Sequence, residues 1–479
     1  MIAAIGLLSA SAPVAAQACQ AGATSDFDGD GLSDLAIGDP DATVSGQARS
    51  GRVSIAYADQ ATQKILQAQI PGNDNGAGDR FGHAMASTDW NKDGCSDLVV
   101  GMPYETSSAG AGAAGAVVLI PGSTAGLVPS QATFWTQEAL DLGASEAQDR
   151  FGFSIAAGTS SGGKPFIVAG NPGESIGTIT NTGAIGYITP SFVVGFHQDS
   201  AGVPGVAEPG DLFGYSVAAS PSGFVVGTPA EAIGTLPYAG SVVMYGHPAS
   251  KVIPTAVGGA DQDSDGVSGT AEAGDLMGAE IAMADYTDSS GTSTLVVVGA
   301  PGEDGDNGWV LEFDADGSFT QRRTFSQVTA GDLEGNERGD AWGGALSVVN
   351  RAPGAAATWD KLLVVGGAPG EDKTGAGLID RGTIQVISGL GAVGDHAVGT
   401  DSALTSAGLV WESGQRIGTS FHATKDHLYI ADPWSSKPAV YGIPWANLLS
   451  GGTAAVVKYT PATFGLGAAD STSFGASLA

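Results

Sequence analysis

Three observations predict an all-β chain closed into a seven-bladed propeller of four-stranded blades. The first is a large apolar residue followed by glycine, which recurs at Phe81-Gly82, Phe151-Gly152, Phe213-Gly214, Met277-Gly278, Trp342-Gly343, Ile417-Gly418 and Phe474-Gly475. Successive copies lie 70, 62, 64, 65, 75 and 57 residues apart. The second is an apolar run ending in a small residue, a variable one and proline. It occurs seven times, from AIGDP (36–40) and VVGMP (99–103) through VVGAP (297–301) to YIADP (429–433). The third is a glycine that opens an alternating strand, as in GRVSIAY (51–57), GAVVLI (115–120) and GTIQVI (382–387), with a weaker seventh copy at PAVYGI (438–443).

Each element follows from the period. Segments 198–214 and 262–278 match at 12 of 17 positions with an offset of 64, and a period this regular marks a repeat architecture. Sixty to seventy residues holding short β-runs and no 3.6-residue periodicity give about four strands per repeat, the content of a propeller blade. The glycines suit turns that need positive φ and places where blades pack too closely for a Cβ. The large residue before each glycine suits the wedge between adjacent blades. The first repeat lacks a leading Phe-Gly strand, and FGASLA (474–479) stops where the next turn would begin. Residues 474–479 are therefore expected to complete blade one and close the ring, which removes exposed edges.

Two acidic loops stand out. Asp26, Asp28, Asp30 and Asp34 occupy positions 1, 3, 5 and 9 of the first, with Gly31 at position 6. Asp89, Asn91, Asp93 and Asp97 repeat this in the second, with Gly94 at position 6. Alternating oxygen ligands let a tight loop wrap one hard cation, and the backbone carbonyls of Leu32 and Cys95 at position 7 would add another. An EF-hand needs a glutamate at position 12, where Ile37 and Val100 stand instead. An Asx-rich hairpin turn would draw on the same residue types. Asp285–Gly291 and Asp261–Gly266 match the pattern only in part.

The order Phe-Gly, acidic D-x-D-x-D-G-x-x-D loop, then Gly-x-Pro resembles the FG-GAP repeats of integrin α-subunit propellers and of secreted bacterial FG-GAP proteins. The resemblance covers about residues 26–479. It implies a seven-bladed propeller with structural Ca²⁺ in the β-hairpin loops of the first two blades, and a binding role outside the cell. It implies no adhesion receptor as such, since no inserted metal-dependent domain, β-sandwich leg or membrane anchor is visible.

Charge narrows the partners. Fifty Asp plus Glu against 19 Lys plus Arg give −31, a field that repels nucleic acid and anionic membrane surfaces. Residues 2–16 are apolar and small, and Ala16-Gln17-Ala18 precedes Cys19, which reads as a signal peptide over 1–18 with a propeller over 19–479. A lipoprotein signal is the rival reading. Cys19 and Cys95, the two cysteines, are expected either to pair in an exported compartment or to remain thiols.

Catalytic patterns are weak. Gly173-Glu-Ser175-Ile-Gly177 fits G-x-S-x-G but follows a turn and opens no helix. The six histidines contain no metalloprotease motif. An acid recurs after the Gly-x-Pro segment at Asp41, Glu105, Glu174, Glu231, Glu303 with Asp304, and Glu371 with Asp372. It would form either an acidic face for cationic ligands or a set of turn residues. The reading that results is a secreted, monomeric, calcium-binding module for an extracellular protein or glycan, non-enzymatic and without a membrane span, with Trp135 and Trp434 as candidate contacts. The alternative is a polysaccharide hydrolase or lyase using carboxylates on a propeller face.

Overall fold

The computed structural model describes residues 19–20, 24–289, 291–330, 335, 337–391, 397–467 and 471–479. The predicted leader (1–18) and His396 lie outside the described residues. Seven antiparallel sheets of four strands each account for the strands. Blade two is representative: Ala84–Thr88, Asp97–Met102, Ala116–Ile120 and Thr133–Trp135 run from the inner to the outer edge. The inner strands of successive blades are neighbours all the way round, and Ser477–Leu478 takes the inner position of blade one by pairing with Ile37 and Gly38. The predicted closure is therefore present.

Apolar runs become second strands because neighbouring blades cover both of their faces. Asp97–Met102, Pro165–Asn171, Gly223–Thr228 and Leu362–Ala368 are buried at every position. Each large residue of the recurring landmark fills one wedge. Phe81, Phe151, Phe213, Met277, Trp342, Ile417 and Phe474 are all 0 % exposed, and each belongs to a different apolar cluster. Burying such a side chain stabilises by roughly 1.5–3 kcal/mol.

The glycines set how closely the blades approach. A Cβ on Gly101 would lie 2.1 Å from the carbonyl oxygen of Gly152 in the next blade. Gly115, at φ +86°, would place a Cβ 2.3 Å from the Phe151 nitrogen. In blade seven the matching second-strand position is Ala431, and its methyl is met by Gly475, the glycine of the closing strand.

Antiparallel order sorts the connections onto two faces. Turns from inner to second strand and from third to outer strand share one face, which carries both acidic loops. Turns from second to third strand and the links between blades share the other. No helix among the described residues is long and apolar enough to cross a membrane.

Candidate metal centre

Both acidic loops turn their carboxylates onto their own backbone, in matching patterns. Asp26 accepts the N–H groups of Asp30 (3.1 Å) and Gly31 (2.9 Å), and Asp89 accepts those of Asp93 and Gly94 (both 3.1 Å). Asp34 accepts from Phe27 (2.7 Å) and Ala58 (2.9 Å), and Asp97 from Trp90 and Gly122 (both 2.8 Å). The ninth residue of each loop thus pins the loop to the outer hairpin of its own blade.

The loops differ in how far their acids converge. In the first, carboxylate oxygens of Asp26, Asp28 and Asp34 all lie within 4.8 Å of one another. Asp30 stands outside this group, accepting the N–H of Leu32 at 2.8 Å, while the Leu32 side chain is 53 % exposed. In the second, Asn91 donates its amide N–H to Asp93 (2.9 Å), and Asp93 accepts the N–H of Cys95 (2.9 Å). No set of three carboxylates gathers there among the described residues. Burial pushes Asp34 up to about 7 and Asp97 up to about 6, against the pull of their N–H donors. Burial, with the neighbouring carboxylates, also raises Asp26 and Asp28. Three close, partly desolvated carboxylates, with no countercharge among the described residues, form a donor set that suits a hard divalent cation.

A disulfide joins Cys19 to Cys95 and brings the two loops together. A Cβ on Gly29 of the first loop would sit 2.7 Å from Cys19 and 2.9 Å from the Cys95 sulfur. Ser96 donates its N–H to the Asp26 carbonyl (2.7 Å), and Ser123 donates to that of Phe27 (3.2 Å). The sequence placed the loops in successive blades; the structure makes them one stapled unit.

The partial matches fall elsewhere. Asp285 lies in a long hairpin and accepts hydroxyl hydrogen bonds from Ser220 (2.6 Å), Ser222 and Thr294 (both 2.7 Å). Asp263 accepts the N–H of Ala271 (3.0 Å) in the link between blades four and five, on the opposite face. Ser175 sits in a turn after Pro165–Asn171 and accepts the Asn181 N–H at 3.3 Å.

On that opposite face the recurring glutamates are buried or half-buried, while Asp304 is exposed. Glu174 accepts amide N–H groups from Gln137 (2.6 Å) and Asn171 (2.8 Å), and Glu231 accepts from Gln198 (2.6 Å). Glu303 and Glu371 accept from Gln262 and Gln327. A buried aspartate accompanies each pair: Asp79 beside Glu105, then Asp149, Asp211, Asp275 and Asp340. Burial pushes Glu174, Glu231 and Glu303 up to about 7 and Glu105 up to about 8, helped by the nearby aspartates. Asp41 instead pairs with Arg80 at 3.0 Å. These acids are pins between turn and link, and the glutamines are the partners that the sequence reading missed. A signal was present, since Gln67, Gln137, Gln198, Gln262 and Gln327 each stand 12 or 13 residues before the aspartate of their own repeat.

A closed seven-bladed ring with Phe-Gly wedges, glycine-to-glycine blade contacts and hairpin acidic loops defines the class. A model described as FG-GAP repeat matches residues 20–55 and 81–120, in the first two blades, and the ring resembles the integrin-α-like propeller. Integrin alpha-PS2 of Drosophila melanogaster is 35 % identical over 152 residues, covering 30 % of this chain and 10 % of that protein. The chain thus spans about a tenth of that relative's length. Among solved structures, Sqt1 of Chaetomium thermophilum is similar at 14 % identity and a TM-score of 0.41, over 79 % of this chain and 73 % of that one. The periplasmic gluconolactonase PpgL of Pseudomonas aeruginosa is similar at 12 % identity and 0.38, over 88 % and 95 %. Likenesses this distant carry no argument about activity.

Proposed function

We propose that this chain is an extracellular binding module whose propeller is held by calcium and whose loops meet a protein or glycan partner. The observation that carries the calcium part is the convergence of Asp26, Asp28 and Asp34 within 4.8 Å. Those three carboxylates would hold the ion in the first loop, with Asp30 and the Leu32 carbonyl completing its shell. Asp89, Asn91, Asp93, Asp97 and the Cys95 carbonyl would do so in the second, once the side chains swing together. The ion would neutralise the loop acids and hold the stapled pair of turns. The binding role is supported by the fold and by the integrin relative, since loops on a rigid ring display contacts well. Asp26 and Asp34 on one face are engaged by backbone N–H groups, and Glu174 and Glu231 on the other by glutamines, which leaves these clusters poorly placed for acid–base work. Two measurements test the proposal. Calorimetric titration with Ca²⁺ is expected to show saturable binding that Asp34→Ala reduces by the first loop's share and that Asp34→Ala with Asp97→Ala abolishes. Immobilised chain is expected to retain a partner from extracellular fractions, and to release it on chelation. Absence of both would sink the reading.

A further inference from the structure

We propose that a groove on the acidic-loop face binds short acidic oligosaccharides. The groove has a volume of about 470 Å³, in the range of small-ligand sites, and lies between the second loop and the turns of blade three. Its polar lining comes from Asn91, Lys92, Lys164, Thr189 and Ser191, and its flat wall from Trp90, with two prolines completing it. No carboxylate lines it, although the chain carries 50 Asp plus Glu against 19 Lys plus Arg. The cavity of about 320 Å³ on the opposite face has the reverse character, being lined by Asp141 and Glu174 with no lysine or arginine.

The local geometry explains the inversion of charge. Asp89 and Asp97 face their own loop's N–H groups, while Lys92 sits exposed at the loop tip with φ +61°. Lys164 is held by one hydrogen bond from its ammonium to the Ala249 carbonyl (3.0 Å), which leaves two of its N–H donors for a ligand. Trp90 is half-buried and fixed from two sides. Its backbone N–H goes to Asp97, and its ring lies 5.7 Å from that of Trp135. A fixed indole beside two ammonium groups fits the apolar face of a pyranose ring and the carboxylate or sulfate it carries. At physiological salt charges are screened over about 8 Å, so the two lysines govern contacts inside the groove. The net charge of −31 still repels long polyanions, which is why a short acidic segment is assigned.

The inference deepens the proposed binding role and rests on it only in placing the chain among extracellular glycans. The test titrates the whole chain, at fixed calcium and 0.15 M salt, with tetragalacturonate, a neutral glucose tetramer and tetraglutamate, following tryptophan fluorescence. Tetragalacturonate is expected to saturate, and both other probes to bind about tenfold more weakly or worse. Lys92→Glu with Lys164→Glu is expected to cost about tenfold or more, and Trp90→Leu several-fold, with melting temperatures unchanged for the exposed lysine pair. Equal binding by the charge-reversed chain, equal binding of tetraglutamate, or no saturation at all would each overturn the assignment. Partner retention separates this from the broader proposal. If the charge-reversed chain still retains its partner but the wild type never saturates with tetragalacturonate, the groove falls and the binding role stands. Saturation at the groove without any retained partner would support the groove and remove the broader role.

Discussion

The two faces of the ring bury carboxylates in close company, yet they neutralise them by different means. On the loop face, Asp26, Asp28 and Asp34 converge and, among the described residues, have backbone N–H groups as their hydrogen-bond donors. On the opposite face, Glu174, Glu231, Glu303 and Glu371 each receive a glutamine amide, and buried aspartates recur at the same point of the repeat. Burial and the neighbouring Asp79 push the Glu105 carboxyl up to about 8, which favours a proton there. The first arrangement is suited to a cation and the second to a proton. With calcium bound to neutralise the loop acids, the loop face should answer to calcium and the opposite face to pH, and that separation can be attacked in three ways.

The largest effect is expected from the staple, which touches the loop face alone. Cys19 and Cys95 are 76 residues apart, and closing a loop of that length places the contribution near the upper end of the usual range, about 4 kcal/mol. Cys19→Ser with Cys95→Ser should lower the denaturation midpoint in urea by a matching amount. It should also weaken the loops' response to calcium, because Gly29 and Gly94 rest on the disulfide. The pH dependence should stay as it was. A changed pH profile in this variant would show that the faces are coupled through the blades.

Calcium comes next. A ligand present at a hundred times its dissociation constant stabilises by about 2.7 kcal/mol. Chelation should lower the melting temperature of the wild type accordingly, and Asp34→Ala should respond less, keeping only the second loop's share. The same variant should be less stable even without calcium, since the Phe27 and Ala58 N–H groups would lose their buried acceptor. If chelation leaves the wild type unmoved, the first loop is a hydrogen-bonded turn and the contrast between the faces disappears.

The ring, the wedges and the closing strand were legible because packing constraints repeat. Phe151, Met277 and Trp342 differ in shape, yet each stands before a glycine at the same point of its repeat and fills its own wedge. Both acidic loops were legible too, because ligand alternation is local in sequence. Three features were hidden, each depending on proximity across distant segments. The pairing of Gln198 with Glu231 spans 33 residues, and the recurrence of the acid alone could not tell a surface from a pin. The contact between Gly29 and the disulfide depends on how blade one meets blade two. The groove joins Lys92 to Lys164 across two blades, and nothing in either local sequence announces the other.

The smallest effect, and the one most specific to the proton-holding face, is expected at Glu231. Burial and the nearby Asp211 and Glu208 hold its carboxyl up at about 7, above the ordinary glutamate value of 4.5, despite the amide of Gln198. A carboxyl raised by folding binds more protons in the native state than in the unfolded chain. Its contribution is fully present below pH 4.5 and is lost as pH rises through about 7. Wild-type stability should therefore decline between pH 5 and pH 8. Glu231→Gln keeps an oxygen for the Gln198 amide but cannot ionise, so it should be near neutral at pH 5. At pH 8 it should be stabilising, on the order of 1 kcal/mol once partial solvent screening is allowed for. Urea unfolding of both chains at the two pH values, with calcium fixed, reads the difference directly. A Glu231→Gln effect equal at pH 5 and pH 8 would mean that the glutamate keeps one charge state in the folded protein relative to the unfolded chain, and the proton-holding role of this face would fall.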